Sequence, residues 1–244
     1  MDARAYIGSE SVVDCHDGNA LVHDPALLPR VDATLFDPAR GTAVAVGGRG
    51  SAWFVDTPAG PAVLRHYRRG GLAAKISRDG YLWQGAQRTR SFREFRLLQA
   101  LRARALPVPT PLAGAYWRGG GGYRAALLTL RIAAAQSLGE RLDTDAAVPW
   151  AAVGAAIAAC HRAGACHADL NVDNVLLDGD DDGWLIDFDR GVLRRPALSW
   201  QRANLARLRR SLRKRLGARA DAPTAVNGWE ALLDAWNDGL REEA

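Results

Sequence analysis

The chain has 244 residues, of which 24% are charged and 48% hydrophobic, and a net charge of +5 at pH 7. This is the composition of a soluble globular protein with one or two domains and a large core, and it excludes a disordered chain. No apolar run approaches the roughly 20 residues of a membrane-spanning helix, and the start, MDARAYIGSESVVD, lacks the basic and apolar segments of a signal peptide. In chain order, the first half reads mainly as short strands. GTAVAVGGRGSAWFVDT (41–57) places apolar β-formers on either side of glycines, and PAVLRHY (61–67) follows a turn, so the two are expected to form a hairpin. SFREFRLLQALRARAL (91–106) has Phe92, Phe95, Leu98 and Leu101 at helical spacing, with Ser91 as N-cap and Glu94 three residues on. PVPTP ends that helix, and AGAYWRGGGGYRAALLTL reads as a second hairpin that turns at Gly119 to Gly122.

The second half is more helical. Trp150 to Arg162 is Ala-rich with apolar periodicity, and Gly164 stops it. VLLDGDDDGWLIDF predicts a hairpin of Val175–Leu177 against Trp184–Ile186. Gln201 to Leu216 is a basic helix with Leu205, Leu208, Leu212 and Leu216 on one stripe, and Asn227 to Leu240 is a closing helix. A β-rich part with one helix followed by an α-rich part describes an α+β chain of two lobes with a cleft between them. The expected division is 1–130 and 131–244, the second part carrying the catalytic loop.

Three cysteines, Cys15, Cys160 and Cys166, have no metal-ligand spacing and are expected to be reduced thiols of a cytoplasm. The basic residues are nearly all Arg, with lysine only at Lys75 and Lys214. A positive balance favours anionic partners, phosphates or acidic lipid. Nucleic acid is not expected, because neither a zinc-finger spacing nor an RNA-binding aromatic motif is present.

The chemistry is concentrated in HADLNVDNVLL (167–177) and LIDFDRG (185–191). His167-x-Asp169-x4-Asn174 matches the catalytic-loop spacing of protein-kinase-like phosphotransferases, where the Asp takes the proton of the attacking hydroxyl and the Asn binds a magnesium ion. Mg²⁺ takes oxygen ligands, commonly one or two carboxylates plus substrate phosphates. Asp187, at the end of an apolar strand, is therefore expected to fold back beside Asn174 as the second metal ligand. Asp187-Phe188-Asp189 stands where such enzymes carry Asp-Phe-Gly. The bland reading of these residues is hairpin turns rich in Asp and Asn, but their fixed offsets from the strands fit the kinase template.

Upstream, Gly48-x-Gly50-x-x-Trp53-x-Val55 resembles a kinase glycine-rich loop, whose backbone amides contact phosphate oxygens. Kinases carry a Lys on the following strand, paired with a Glu of the small-lobe helix. Here Arg65 takes the cationic position and Glu94 is the helix acid; Lys75, ten residues on, is the other cation for that role. Leu127 to Ile132 is the expected hinge.

The segments LRHYRRGG (64–71), YLW (81–83), SFREFRLL (91–98), HADLNVDNVLL and LIDFDRG, with the basic NLARLRRSLRK (204–214), resemble 3-deoxy-D-manno-octulosonic acid (Kdo) kinases, from about Gly47 to Leu216. The resemblance implies a kinase-like fold and ATP- and Mg²⁺-dependent phosphorylation of the 4-hydroxyl of Kdo on a lipid A precursor. It also implies work as a peripheral protein at the cytoplasmic face of the inner membrane. An acceptor so anionic needs cations, and Arg65, His66, Arg68, Arg69, Lys75 and Arg78 form a dense basic stretch. The arginines of Arg202 to Arg215 suit acidic headgroups, while the Leu stripe of that helix is expected to face the core. Two other classes share parts of the pattern. An aminoglycoside- or choline-type kinase recognises cationic acceptors, which the basic stretch disfavours. A pseudokinase scaffold would explain the missing strand lysine but not the retention of Asp169, Asn174 and Asp187.

Overall fold

The structure, a computed structural model, describes residues 11–15, 18–44, 51–67 and 81–241, the first of these by backbone alone. They divide into two units: the described residues up to Ala100 with Thr110–Arg131, and Leu101–Pro109 with the chain from Ile132 onward.

The first unit is built on one antiparallel sheet. Its strands are β1 (Ser11–Cys15), β2 (Asn19–His23), β3 (Thr42–Ala43), β4 (Ala52–Thr57), β5 (Gly60–His66), β6 (Tyr81–Leu82), β7 (Pro111–Gly119) and β8 (Gly122–Leu130). They lie in the order β1-β2-β7-β8-β5-β4-β3, and β6 also pairs with β8. Both expected hairpins form. Between β7 and β8, Gly120 and Gly121 have φ of 55° and 77°, the pair of left-handed residues that a tight hairpin turn demands. The β1–β2 hairpin, which the sequence reading did not single out, extends the sheet by pairing β2 with β7.

Each face of this sheet is covered. On one face lies helix α1 (Arg90–Arg102), with Phe92, Phe95 and Leu98 buried. Ser91 was expected to cap this helix and instead lies inside it. Its hydroxyl donates to the Ala115 carbonyl at 2.7 Å, fastening helix to sheet, while the Thr89 carbonyl accepts the first helical bond from Arg93. The helix also ends earlier than its apolar periodicity suggests. Ala105 turns left-handed (φ 54°), and the amides of Leu106 and Ala105 bond back to Leu101 and Arg102, the two bonds of a Schellman stop. Against the other face, Leu28 and Phe36 pack with Leu21, Leu64, Leu112 and Leu128.

The second unit is largely helical. Its elements are β9 (Gln136–Ser137), α2 (Leu138–Asp143), α3 (Trp150–Arg162), β10 (Ala165–Cys166), β11 (Val175–Leu177), β12 (Gly183–Leu185), β13 (Val192–Leu193), α4 (Leu198–Leu216) and α5 (Pro223–Arg241). α2 went unread in the sequence, although Ser137 and Glu140 form a complete capping box at its start. α3 has its expected bounds, and Gly164 (φ 80°) ends it. α5 packs on α3 at close range: a side chain at Gly154 would run into the Leu232 carbonyl. The β11–β12 hairpin forms with its second strand one residue earlier than expected, Val175 facing Leu185. α4 begins at Leu198, and Leu205, Leu208, Leu212 and Leu216 are buried as the stripe predicts. Among the described residues no helix is long and apolar enough to cross a membrane.

Candidate active site

His167 organises the motif. Its Nδ1 accepts the amide of Asp169 at 3.0 Å, so the ring proton sits on Nε2, which donates to the Ile186 carbonyl at 2.8 Å. One imidazole thus joins the residue that bears the expected base to the residue just before Asp187. Burial is the main reason that the His167 pKa lies below the ordinary imidazole value; its bond to the Ile186 carbonyl and the charges of Asp187 and Asp169 oppose that shift. The Phe188 ring packs against the imidazole, with centroids 4.7 Å apart. With both ring nitrogens engaged, His167 acts as a brace.

The Asp169 carbonyl accepts from the side-chain amides of Asn174 at 2.9 Å and Asn171 at 3.1 Å. Asn171 also caps the short turn Val172–Asn174, its Oδ1 accepting from the amides of Asp173 and Asn174. The loop is thereby held by its own amides, and the Asp169 carboxylate stands out from it, 59% exposed.

The hairpin brings Asp187 to Asn174 as the spacing predicts. The amide of Ile186 donates to the Asn174 carbonyl at 3.1 Å, continuing the ladder by one pair, so Asp187 follows directly. Asp187 is exposed and left-handed, φ 62°, a conformation that short polar residues tolerate best. Asn174 commits its amide nitrogen to Asp169, and no described residue donates to its Oδ1. An amide oxygen and a carboxylate on adjoining turns are the donor types that a hard divalent cation takes alongside phosphate and water.

Helix α4 lines this loop with residues that the sequence reading gave no part in it. Asn204 donates to the His167 carbonyl at 3.0 Å and accepts its amide at 3.2 Å. Ser211 accepts the amide of Val172 at 3.3 Å. Arg215 holds Asp143 through two bonds, 2.7 and 2.6 Å, and Asp173 at 3.1 Å. Arg207 lies 3.6 Å from Asp169 Oδ1. Positions 204, 207, 211 and 215 share one helix face, and the 167–173 segment runs along it. Spacing alone marks the stripe, but two arginines in it read more simply as a solvated face. Asn204→Leu is expected to lower the unfolding free energy by about 2–4 kcal/mol, because both backbone groups of His167 lose their partner in the interior. Urea titration measures this, and a loss below about 0.5 kcal/mol, the scale of an ordinary surface change, would show that Asn204 does not support the loop.

Behind Asn204 the buried network continues. The Trp236 indole donates to His161 Nδ1 at 3.0 Å, and His161 Nε2 faces Asn204 Oδ1 at 3.4 Å. A second ring proton on His161 would point at the indole N–H. Burial pushes the His161 pKa down to about 4, with the Asn204 contact working the other way. The unfolded chain, with an ordinary imidazole near 6.5, binds this proton first. Stability is therefore complete above about pH 6.5 and falls as the pH drops towards 4, by roughly 3 kcal/mol in all. Urea unfolding at pH 7.5, 6 and 5 should show the decline, and His161→Gln should reduce it, leaving the part that the buried His167 contributes; an equal slope in that variant would assign the effect elsewhere.

The remaining candidates lie in the strand-rich unit. Arg65 on β5 pairs with Glu94 on α1 at 2.5 Å, and Glu94 is 2% exposed. Tyr67, which the sequence reading passed over, donates its hydroxyl to the same Glu94 oxygen at 2.7 Å. His66 does not join Arg65 in a basic cluster. Strand alternation turns it to the opposite face, where Nε2 meets the Phe36 carbonyl at 2.9 Å and the ring packs between Trp53 and Trp117. Gly48, Gly50, Lys75, Arg68, Arg69 and Arg78 lie outside the described residues.

Comparison with known proteins gives this geometry a family. The chain is 53% identical over 246 residues to a protein of Stenotrophomonas maltophilia (strain R551-3) named 3-deoxy-D-manno-octulosonic acid kinase, covering 96% of this chain and 99% of the relative. A protein of the same name from Xanthomonas axonopodis pv. citri (strain 306) is 55% identical over 224 residues, 88% of this chain and 90% of the other. Among solved structures, the bifunctional kinase-methyltransferase WbdD aligns with a TM-score of 0.44 and 15% identity, over 79% of this chain and 43% of that one. The sequence model of the lipopolysaccharide kinase (Kdo/WaaP) family matches residues 38–236, which takes in Arg65, Glu94, Asp169, Asn174 and Asp187. The chain belongs to the lipopolysaccharide kinase (Kdo/WaaP) family.

Proposed function

We propose that this protein transfers a phosphoryl group from ATP to the 4-hydroxyl of a Kdo residue on a lipid A precursor, in assembly of the lipopolysaccharide inner core. The observation that carries this reading is the brace at His167, which holds an exposed Asp169 carboxylate and the Asn174–Asp187 oxygen pair on adjoining turns. It stands in a chain more than half identical to relatives named for that sugar acid.

Asp169 orients the acceptor hydroxyl and takes its proton as the oxygen attacks. Asn174 Oδ1 and the Asp187 carboxylate would hold Mg²⁺. The ion would supply positive charge to the phosphate oxygens of ATP. Arg65, fixed by Glu94 and Tyr67, offers a pre-set guanidinium in place of the usual strand lysine. Gly48 and Gly50 retain their sequence-based part as phosphate cover, and Lys75 its part as the alternative to Arg65 for the cationic role. The rate effect rests on positioning and electrostatics, since phosphoryl transfer asks little covalent chemistry of the protein.

The acceptor is a lipid, so we place the protein at the cytoplasmic face of the inner membrane as a peripheral enzyme. Arg202, Arg209, Arg210, Arg213 and Lys214 on α4 are exposed and suit an anionic surface, at about 1 kcal/mol each near such lipid. One assay tests the whole reading. The purified protein receives labelled ATP, Mg²⁺ and Kdo-bearing lipid A precursor in anionic or neutral vesicles, with an aminoglycoside as comparison acceptor. Mass spectrometry should find one added phosphate on Kdo, formed faster on anionic vesicles. Transfer to the aminoglycoside alone, or to no acceptor, would refute the function; equal rates on both vesicles would refute the membrane placement.

A further inference from the structure

Of the α4 residues along the catalytic loop, Arg207 alone makes no bond to the loop's backbone and no bond of ordinary hydrogen-bond length to its side chains. Its Nη1 stands 3.6 Å from Asp169 Oδ1, longer than a hydrogen bond, and the side chain is 46% exposed. Arg215, two turns further along the same face, shows what a structural arginine looks like here: its donors engage Asp143 twice and Asp173 once. The five N–H donors of Arg207 are not taken up in that way, and among the described residues its ion-pair partner is Asp169. The result is a guanidinium with open donors, held by a buried helix face beside the carboxylate that must receive the acceptor.

An anionic acceptor has a problem at this site. The base that takes its proton is itself a carboxylate, and two negative charges at close range repel. A 2-keto sugar acid such as Kdo, phosphorylated on its 4-hydroxyl, bears its carboxylate on the ring carbon two positions away. Once the hydroxyl lies against Asp169, that carboxylate falls within reach of a side chain adjoining Asp169. Arg207 adjoins it, and a guanidinium suits a carboxylate through paired, charge-assisted hydrogen bonds. A kinase for a neutral or cationic sugar would have no acceptor carboxylate for this cation to bind.

We propose that Arg207 binds the carboxylate of the acceptor sugar and thereby selects an acidic sugar over a neutral one. The inference rests on the function proposed above and adds a residue that decides acceptor class. In the absence of acceptor Arg207 leans on Asp169; with acceptor bound it moves to the incoming carboxylate and relieves the repulsion between that group and the base.

The test compares two acceptors, the Kdo-bearing lipid A precursor and the same compound with its Kdo carboxylates converted to methyl esters. It uses the wild type, Arg207→Gln and Arg207→Lys. The wild type should favour the acid over the ester by about 10–100-fold in kcat/KM, the scale of a lost charge-assisted hydrogen bond. Arg207→Gln should act poorly on both and prefer neither. Arg207→Lys should keep part of the preference, and KM for ATP should be the same in all three proteins. An Arg207→Gln protein that retains the wild-type ratio of acid to ester, whatever its absolute rate, overturns the proposal and leaves Arg207 as a support for Asp169. A wild type that treats acid and ester alike overturns it as well. If the wild type phosphorylates neither acceptor, the proposed function falls along with it, and the wild-type arm alone shows which of the two has failed.

Discussion

Replacing Asp169 by asparagine is expected to lower kcat by about 10²–10⁴-fold, the range for loss of a positioned general base. Asparagine keeps the shape of the side chain, and the surrounding frame does not depend on its charge. The shorter bonds that fix this residue run through its backbone, from the Asp169 amide to His167 and from the amides of Asn171 and Asn174 to the Asp169 carbonyl, while the carboxylate has, among the described residues, only longer contacts, to Asn171 at 3.4 Å and to Arg207 at 3.6 Å. The carboxylate is also exposed, so neither asparagine nor alanine leaves a cavity or an unsatisfied interior group. Stability and ATP affinity should therefore stay near wild-type values while transfer is lost. Calorimetric titration with Mg-ATP, urea unfolding and single-turnover transfer separate these quantities. Turnover within a few fold of wild type would remove Asp169 from the role of base. Loss of folding together with activity would show that the carboxylate is structural.

Asp187→Asn should act on a different quantity. Asparagine tolerates the left-handed backbone at this position at least as well as aspartate, whereas alanine would add backbone strain. The asparagine variant therefore isolates the charge. Its Mg²⁺-dependent gain in nucleotide affinity should fall by at least the ~10–100-fold that follows loss of an outer-shell partner of a bound metal. Affinity measured without divalent cation should not fall, because the carboxylate then only repels the phosphates. A Mg²⁺ titration of nucleotide binding that matches wild type would show that Asp187 does not hold the ion. The contrast with Asp169, where binding persists and transfer is lost, separates the two carboxylates by function.

The catalytic loop could be read from spacing because its geometry is local. Asn174 and Asp187 are thirteen residues apart across a single hairpin. Once β11 and β12 pair, the register leaves Ile186 bonded to Asn174 and Asp187 next in line. The pairing of Arg65 with Glu94 was also expected, although its partners are 29 residues apart, because the kinase template supplied both positions. Tyr67 on the same oxygen belongs to no template and was not seen. His66 shows the opposite failure. It lies beside Arg65 in a run of basic residues, and one step along a strand is enough to turn it to the other face of the sheet.

Hydropathy and turn chemistry in the chain dictated the secondary elements: the β7–β8 turn at Gly120 and Gly121, the leucine stripe of α4, and the end of α3 at Gly164. These follow from short-range sterics and from which face of an element must leave water, and both are written in neighbouring residues. Which polar groups of α4 meet which groups of the loop was settled only by packing. Asn204 meets His167 across 37 residues and Arg215 meets Asp173 across 42. A polar residue on a helix carries the same local signature whether it faces solvent or a buried backbone amide. Only the docking of the leucine face fixes its rotation, and with it which arginine stands beside Asp169.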